Sequence, residues 1–135
     1  MSSALTGTHE TLGSVRTDEL RPAIARIRAA AGPLAGYAVA ELGSAVDAAL
    51  SRLPWGVVVD LRPLDAVGPA GLAMLMRVAD AAGELDVGLT LVCPAVVRSA
   101  LADAGLTEHF ELSHDLDAAL STLGVVVRRL PSTRR

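Results

Sequence analysis

Apolar and polar positions follow two periods along this chain, and the change between them falls in its middle. Trp55 to Leu61 contains an unbroken apolar run, Val57-Val58-Val59, that ends at Asp60-Leu61. A short β-branched run bounded by turn residues predicts a strand buried on both faces. Pro54 and Gly56 punctuate its start, and Pro63 follows its end. From Ala70 the period becomes helical. Leu72, Leu75, Met76 and Ala79 recur at i, i+3, i+4 and i+7, which predicts a helix with that face in the core. Arg77, Asp80 and Glu84 lie off the face. Gly68 suits the N-cap, Pro69 the first helical position, and Gly83 the C′ position. Met74 and Val78 also lie off the face, so the apolar surface of the helix is wide. Either a second helix packs there, or these residues face a partner.

The flanking segments repeat the alternation. Val39, Leu42, Val46, Ala49, Leu50 and Leu53 predict an amphipathic helix over 36–53, with Pro54 beyond its end. Val87 to Val92 reads as a strand, Pro94 to Ala104 as a helix closed by Gly105, and Phe110 to Leu112 as a short strand. Asp115 caps a further helix that runs to Leu123. Thr11 to Thr17 reads as a short first strand. Asp18 to Ala31 supports two readings: its Ala and Arg content favours helix, whereas Pro22 opposes a continuous one. Ile24, Arg26 and Arg28 also alternate as on a strand face. Strands alternating with helices imply an α/β domain with a mainly parallel sheet and right-handed crossovers. Residues 1–10 are small and polar and read as a frayed end, 11–123 as the domain, and 124–135 as a C-terminal tail.

Composition narrows the function more than the fold. At 135 residues the chain is one domain large enough for a core without staples, and 51% hydrophobic content excludes global disorder. Trp, Tyr and Phe occur once each, so Ala, Val, Leu and Ile must build the interior. Every basic residue is Arg, and a net charge of −3 gives no overall drive toward nucleic acid. The single Cys93 follows an apolar strand and reads as a small core residue. No basic-then-apolar leader opens the chain, and no apolar run reaches the ~18 residues of a membrane span, so a cytoplasmic protein is expected.

The candidate chemistry is thin. Glu108, His109, Glu111, His114 and Asp115 are metal-friendly but lack an established zinc spacing. Asp60 and Asp65 flank the central loop, where turn and strand-end carboxylates are common. There is neither a G-x-S-x-G elbow nor a phosphate-binding P-loop. These observations point to no enzyme, no metal and no cofactor.

The strand, loop and helix from Asp60 onward resemble a STAS domain, the fold of bacterial anti-sigma factor antagonists. Asp60, Leu61, Leu64, Val67, Gly71, Leu72 and Leu75 stand where that family's central motif has matching residues. The resemblance continues through Gly88-Leu89-Thr90-Leu91-Val92, through Leu101, Gly105 and Leu106, and to Asp117-Ala118-Ala119-Leu120. Gly32-Pro33-Leu34-Ala35 is similar to the family's G-x-L-D turn with the Asp replaced, so residues 22–123 are covered. The resemblance implies a single domain with a mixed, mainly parallel sheet of four to five strands and about four helices. It also requires a strand leading into Gly32, which favours strand over helix for 18–31.

The chain departs from the family at the loop. The family's Asp, phosphorylated Ser and following Ser/Thr fall on Gly68, Pro69 and Ala70. In the family a kinase partner phosphorylates that Ser, and the added charge breaks the complex. Pro69, at the position of the missing phosphoserine, has no hydroxyl. The resemblance therefore implies a non-enzymatic interaction module for transcription regulation without the serine switch. Its implied partner is an anti-sigma factor or serine-kinase-like ATPase, met through Asp65, Gly68, Pro69, Ala70, Gly71, Met74, Arg77 and Val78. A monomer or weak homodimer is implied, with no nucleic acid and no membrane insertion. The alternative is a STAS module that binds a small molecule or lipid, or an accessory subunit of a transport complex.

Overall fold

The computed structural model describes residues 10–12, 15–21 and 23–129. Its elements in order are β1 (Glu10–Leu12), β2 (Val15–Arg21), β3 (Ile24–Arg28), β4 (Gly32–Leu34), α1 (Tyr37–Leu50), β5 (Gly56–Asp60), β6 (Leu64–Val67), α2 (Pro69–Glu84), β7 (Gly88–Val92), α3 (Ala95–Asp103), β8 (Glu111–Ser113) and α4 (Leu116–Arg129). The main sheet has six strands in the order β1-β2-β3-β5-β7-β8. β3, β5, β7 and β8 run parallel, while β1, β2 and β3 are antiparallel neighbours. The class is therefore α/β with a mixed, mainly parallel sheet and four helices, as the pattern implies. β1 widens the sheet beyond four to five strands, and β4 pairs with β6 as a separate two-stranded unit.

β5 is the middle of this arrangement. All five of its residues are buried, and Val57, Val58 and Val59 are fully so. Successive side chains on a strand point to opposite faces. Val57 and Val59 join Ile27 and Leu91 in the larger apolar cluster, which also takes in residues of α1, α2 and α3. Val58 points the other way and packs with Ile24, Val92, Ala119 and Leu123 beneath α4.

Several expected boundaries move. The segment read as one strand over 11–17 and an ambiguous stretch over 18–31 holds three strands, β1, β2 and β3, paired antiparallel in succession. β2 turns back on itself through Ala23, which has a left-handed φ of 68°, and pairs with β3. The strand reading of Ile24 to Arg28 holds. Of the frayed end expected over 1–10, Glu10 belongs to β1, while residues 1–9, like Pro22, lie outside the described residues. α2 does not end at Gly83: it runs to Glu84, with Leu85 at the C-cap, and the left-handed residue is Asp86 at φ 58°. The boundary expected at 124 falls inside α4, which is helical through Arg129. The Asp115 side chain does cap this helix, accepting from the Ala118 N–H at 2.8 Å. Residues 130–135 of the expected tail lie outside the described residues.

One flaw in the interior gives a testable consequence. Thr90 is fully buried on β7, and its hydroxyl has no hydrogen-bond partner among the described residues. An unmet buried hydroxyl costs about 1–3 kcal/mol. Thr90→Val keeps the β-branched shape and removes the unmet group. It should stabilise the protein by about 1 kcal/mol, read as a higher urea midpoint at unchanged m-value.

Candidate functional site

The polypeptide reaches the expected loop by way of β6. After Asp60 the chain turns at Arg62 and Pro63, and the Leu64 N–H donates to the Leu61 carbonyl at 3.0 Å. β6 then pairs in parallel with β4, placing Leu64 beside Gly32 and Val67 beside Leu34. Sequence reading treated this stretch as loop. The signal was short: Leu64-Asp65-Ala66-Val67 bounded by Pro63 and Gly68. Leu64 is buried, while Asp65 and Ala66 face solvent.

Gly68 and Pro69 start α2 as expected. Gly68 is the N-cap in an extended conformation, its N–H donates to the Leu34 carbonyl at 3.2 Å, and Pro69 follows at the helix start. The Leu72 N–H donates to the Gly68 carbonyl at 3.1 Å. Gly71 is buried against β4. A Cβ there would lie 2.9 Å from both the side chain and the carbonyl oxygen of Leu34. A glycine at this position therefore lets the first turn of α2 press on β4.

The outer-face residues divide. Asp65, Pro69, Ala70 and Arg77 are exposed, and Gly68 is half-buried. Gly71, Met74 and Val78 are buried, with Val78 completely so. The core-facing side of α2 is Gly71, Met74, Leu75, Val78 and Ala82, whereas Leu72, Met76 and Ala79 are half-buried. The face is rotated from the expected one because α2 packs on α1 as well as on the sheet. A Cβ on Gly43 of α1 would lie 3.2 Å from Met74 Cγ, so Met74 fills the seam between the two helices. Of the two readings open for the wide apolar surface, the packed helix is the one realised. Arg77 stays outside and forks onto Asp47 of α1, both contacts at 3.1 Å.

These contacts fix the relative direction of α1 and α2. Gly43 lies beside Met74 and Asp47 beside Arg77, so the two helices run parallel and start at the same end. Tyr37, the first residue of α1, is therefore on the same end as Pro69, and it is 89% exposed. Ala35 borders Gly68, its Cβ lying 3.9 Å from where a Gly68 Cβ would stand. Sequence reasoning did not single out Tyr37. The available signal was the lone tyrosine of an aromatic-poor chain, placed just after the Gly32-Pro33-Leu34-Ala35 turn.

At the end of β5, Asp60 is a fully buried carboxylate. Arg62 forks onto it, Nε to Oδ1 at 2.9 Å and Nη2 to Oδ2 at 2.8 Å, and the Arg62 N–H donates to Oδ1 at 3.1 Å. Arg28 Nη1 lies 3.9 Å from Oδ2. Burial pushes the Asp60 carboxyl up, but the hydrogen bonds from Arg62 and the charges of Arg62 and Arg28 outweigh it, and the pKa falls below its ordinary value. Asp60 is thus a structural anion that ties the end of β5 to the turn before β6, and Asp65 lies apart from it on the exposed side of β6. Glu108, His109, Glu111 and His114 are not gathered into one site. His109 meets Asp80 of α2 at 3.4 Å, and His114 meets Arg98 at 3.3 Å.

Cys93 is buried, and burial pushes its thiol pKa up to about 11. A thiol held neutral at that level is a poor nucleophile at neutral pH. At pH 8 the folded protein should resist iodoacetamide while the urea-unfolded chain is fully alkylated, as intact-mass measurement would show.

No protein-family model matches the sequence, and no curated protein matches it significantly. Solved structures do match in shape. An anti-sigma factor antagonist from Mycobacterium paratuberculosis aligns at TM-score 0.72 and 21% identity, over 82% of this chain and 92% of its own. RsbS of Moorella thermoacetica aligns at 0.69 and 18% identity, over 84% and 97%. The anti-sigma factor antagonist SpoIIAA in its unphosphorylated form aligns at 0.61 and 12% identity, over 86% and 99%. No helix among the described residues is long and apolar enough to cross a membrane. The order of strands, the helices on both faces and these alignments together make the chain a STAS-like domain, in the fold of the anti-sigma factor antagonists.

Proposed function

We propose that this protein is a non-enzymatic regulatory module that binds an anti-sigma factor or serine-kinase-type ATPase through the start of α2. The observation that carries this reading is the exposed, hydroxyl-free Pro69-Ala70 step at the helix start, in a fold shared with anti-sigma factor antagonists. The Gly68 N–H is bonded to the Leu34 carbonyl, which ties the start of α2 to β4. Asp65, Gly68, Pro69, Ala70 and Arg77 form the contact set, with exposed Tyr37 on the same end. Gly71, Met74 and Val78 support it from below. Pro69 cannot accept a phosphoryl group, so the complex does not respond to phosphorylation at this position.

Ala70→Glu tests the contact directly. The position is exposed, and an acid in the first turn suits the helix dipole, so the fold is kept. The wild-type chain, used as bait in its native cytoplasm, should retain an ATPase of the serine-kinase type. Ala70→Glu should retain at least tenfold less. Equal recovery of that ATPase by both proteins would move the interface off this helix start, and recovery of none would remove the reading.

A further inference from the structure

The outer face of the β2–β3 hairpin, on the α4 side of the sheet, sets two arginines directly opposite each other. Arg16 and Arg28 are cross-strand partners. Like charges placed directly opposite destabilise an antiparallel pair. The neighbouring position on the same face shows the usual remedy: Arg26 is opposite Asp18 and forks onto it at 3.0 and 2.7 Å. Arg16 and Arg28 have no such arrangement. Arg16 is exposed and makes no ion pair among the described residues. Arg28 is 45% exposed and only approaches Asp60, at 3.9 Å.

Asp60 is already committed elsewhere. Both of its oxygens are held by Arg62, whose side chain is 36% exposed. Arg28 and Arg62 therefore meet at one oxygen, Oδ2, so the two guanidiniums lie side by side. The other carboxylate acting on Arg62 is Asp115, which is occupied in capping α4. Three arginines thus converge on one patch of an acidic chain, with positive charge left over. α4 packs on β5, β7 and β8, and β2 and β3 lie beyond it.

We propose that Arg16, Arg28 and the outward edge of Arg62 form an anion site for a tetrahedral dianion of the phosphate class, free or as a simple monoester. An arginine presents five N–H donors in a rigid fork that matches phosphate oxygens two at a time. Cross-strand pairing holds the Cβ atoms of Arg16 and Arg28 about 5 Å apart, so both forks reach one anion. A dianion between them turns a repulsive pair into two charge-assisted contacts. The site lies on the opposite side of the sheet from α2, so it stands or falls independently of the partner surface at Pro69.

The test is calorimetric titration of the full chain at fixed ionic strength, with inorganic phosphate and phenyl phosphate as probes. Arg28→Gln leaves the Arg62–Asp60 pair in place and so keeps the fold, which circular dichroism verifies. Saturable binding should weaken at least tenfold in Arg28→Gln and in Arg16→Gln. It should be unchanged in Arg52→Gln, an exposed arginine just past α1. Arg16→Gln should also melt at a higher temperature than wild type in phosphate-free buffer, because the repulsion is relieved while Arg28 keeps its approach to Asp60. Binding of both probes assigns the site to monoesters as well, whereas binding of inorganic phosphate alone assigns it to the free anion. Absence of saturation with either probe, or equal losses in Arg28→Gln and Arg52→Gln, overturns the site.

Discussion

Replacing Arg62 with alanine should lower the unfolding free energy by about 3 kcal/mol at pH 7, the low end of what removing one partner of a buried ion pair costs. Asp60 is fully buried, and its bidentate contact and one backbone hydrogen bond come from Arg62. Arg28 at 3.9 Å offsets only part of the loss, and Arg62 is itself 36% exposed, which keeps the figure modest. The sign of the pH dependence follows from the lowered Asp60 pKa. The stabilising contribution is present above the unfolded carboxylate pKa of about 3.9 and is lost as pH falls through the lower folded value. The gap between wild type and Arg62→Ala should therefore narrow on acidification below about pH 4. The double variant Asp60→Asn, Arg62→Ala should recover much of the loss, since no buried charge is left unpaired. Urea unfolding of the three proteins at pH 7 and pH 3.5 reads all of this. A pH-independent gap would mean that the lost packing of the Arg62 stem, not the charge, dominates.

Two glycines of one helix should respond to alanine with opposite sign. Gly71→Ala places a Cβ 2.9 Å from the Leu34 carbonyl oxygen, and a strand backbone cannot swing away as a side-chain tip can. Overpacking of this kind costs about 1–3 kcal/mol, more than the helix propensity that alanine supplies. The first turn of α2 must then move off β4, which also displaces Gly68, Pro69 and Ala70. Partner binding should fall together with stability. Gly83→Ala, in the last turn, meets nothing within 4 Å and should stabilise by about 0.5–1 kcal/mol. Binding should be untouched there. Thermal and urea midpoints of the two variants separate these outcomes, and a neutral Gly71→Ala would show that β4 yields.

The sequence revealed the parts of the fold that rest on one strong local signal. Val57-Val58-Val59 read as a doubly buried strand and Gly68-Pro69 as a helix start, and both stand in the structure. Asp115 and Gly105 likewise marked their helix ends. The orientation of α2 was not legible, because Leu72, Met74, Leu75, Met76 and Val78 leave the helix apolar nearly all round. Which face enters the core then depends on where α1 lies, and only the approach of Met74 to Gly43 settles it. β6 and β4 were too short to show a period, and their pairing is a tertiary fact. α4 continues past Leu123 through a Val125-Val126-Val127 run that favours strand by residue type, a preference that helix continuation overrides.

The same division holds for the candidate site. That Gly68 and Pro69 stand at the start of α2 was readable from turn chemistry. The separation of exposed Pro69, Ala70 and Arg77 from buried Gly71, Met74 and Val78 was not. Tyr37 was invisible for a similar reason: its place on the same end as Pro69 comes from two helices running in the same direction, which no stretch of sequence states.

The decisive measurement is the affinity of this chain for the proposed ATPase partner before and after incubation with magnesium and labelled ATP. Partner binding through a hydroxyl-free helix start predicts the same dissociation constant in both conditions and no label on this chain. It also predicts at least tenfold weaker binding by Ala70→Glu throughout. Release of the complex by ATP with label transferred to this chain would contradict it, as would full-strength binding by Ala70→Glu.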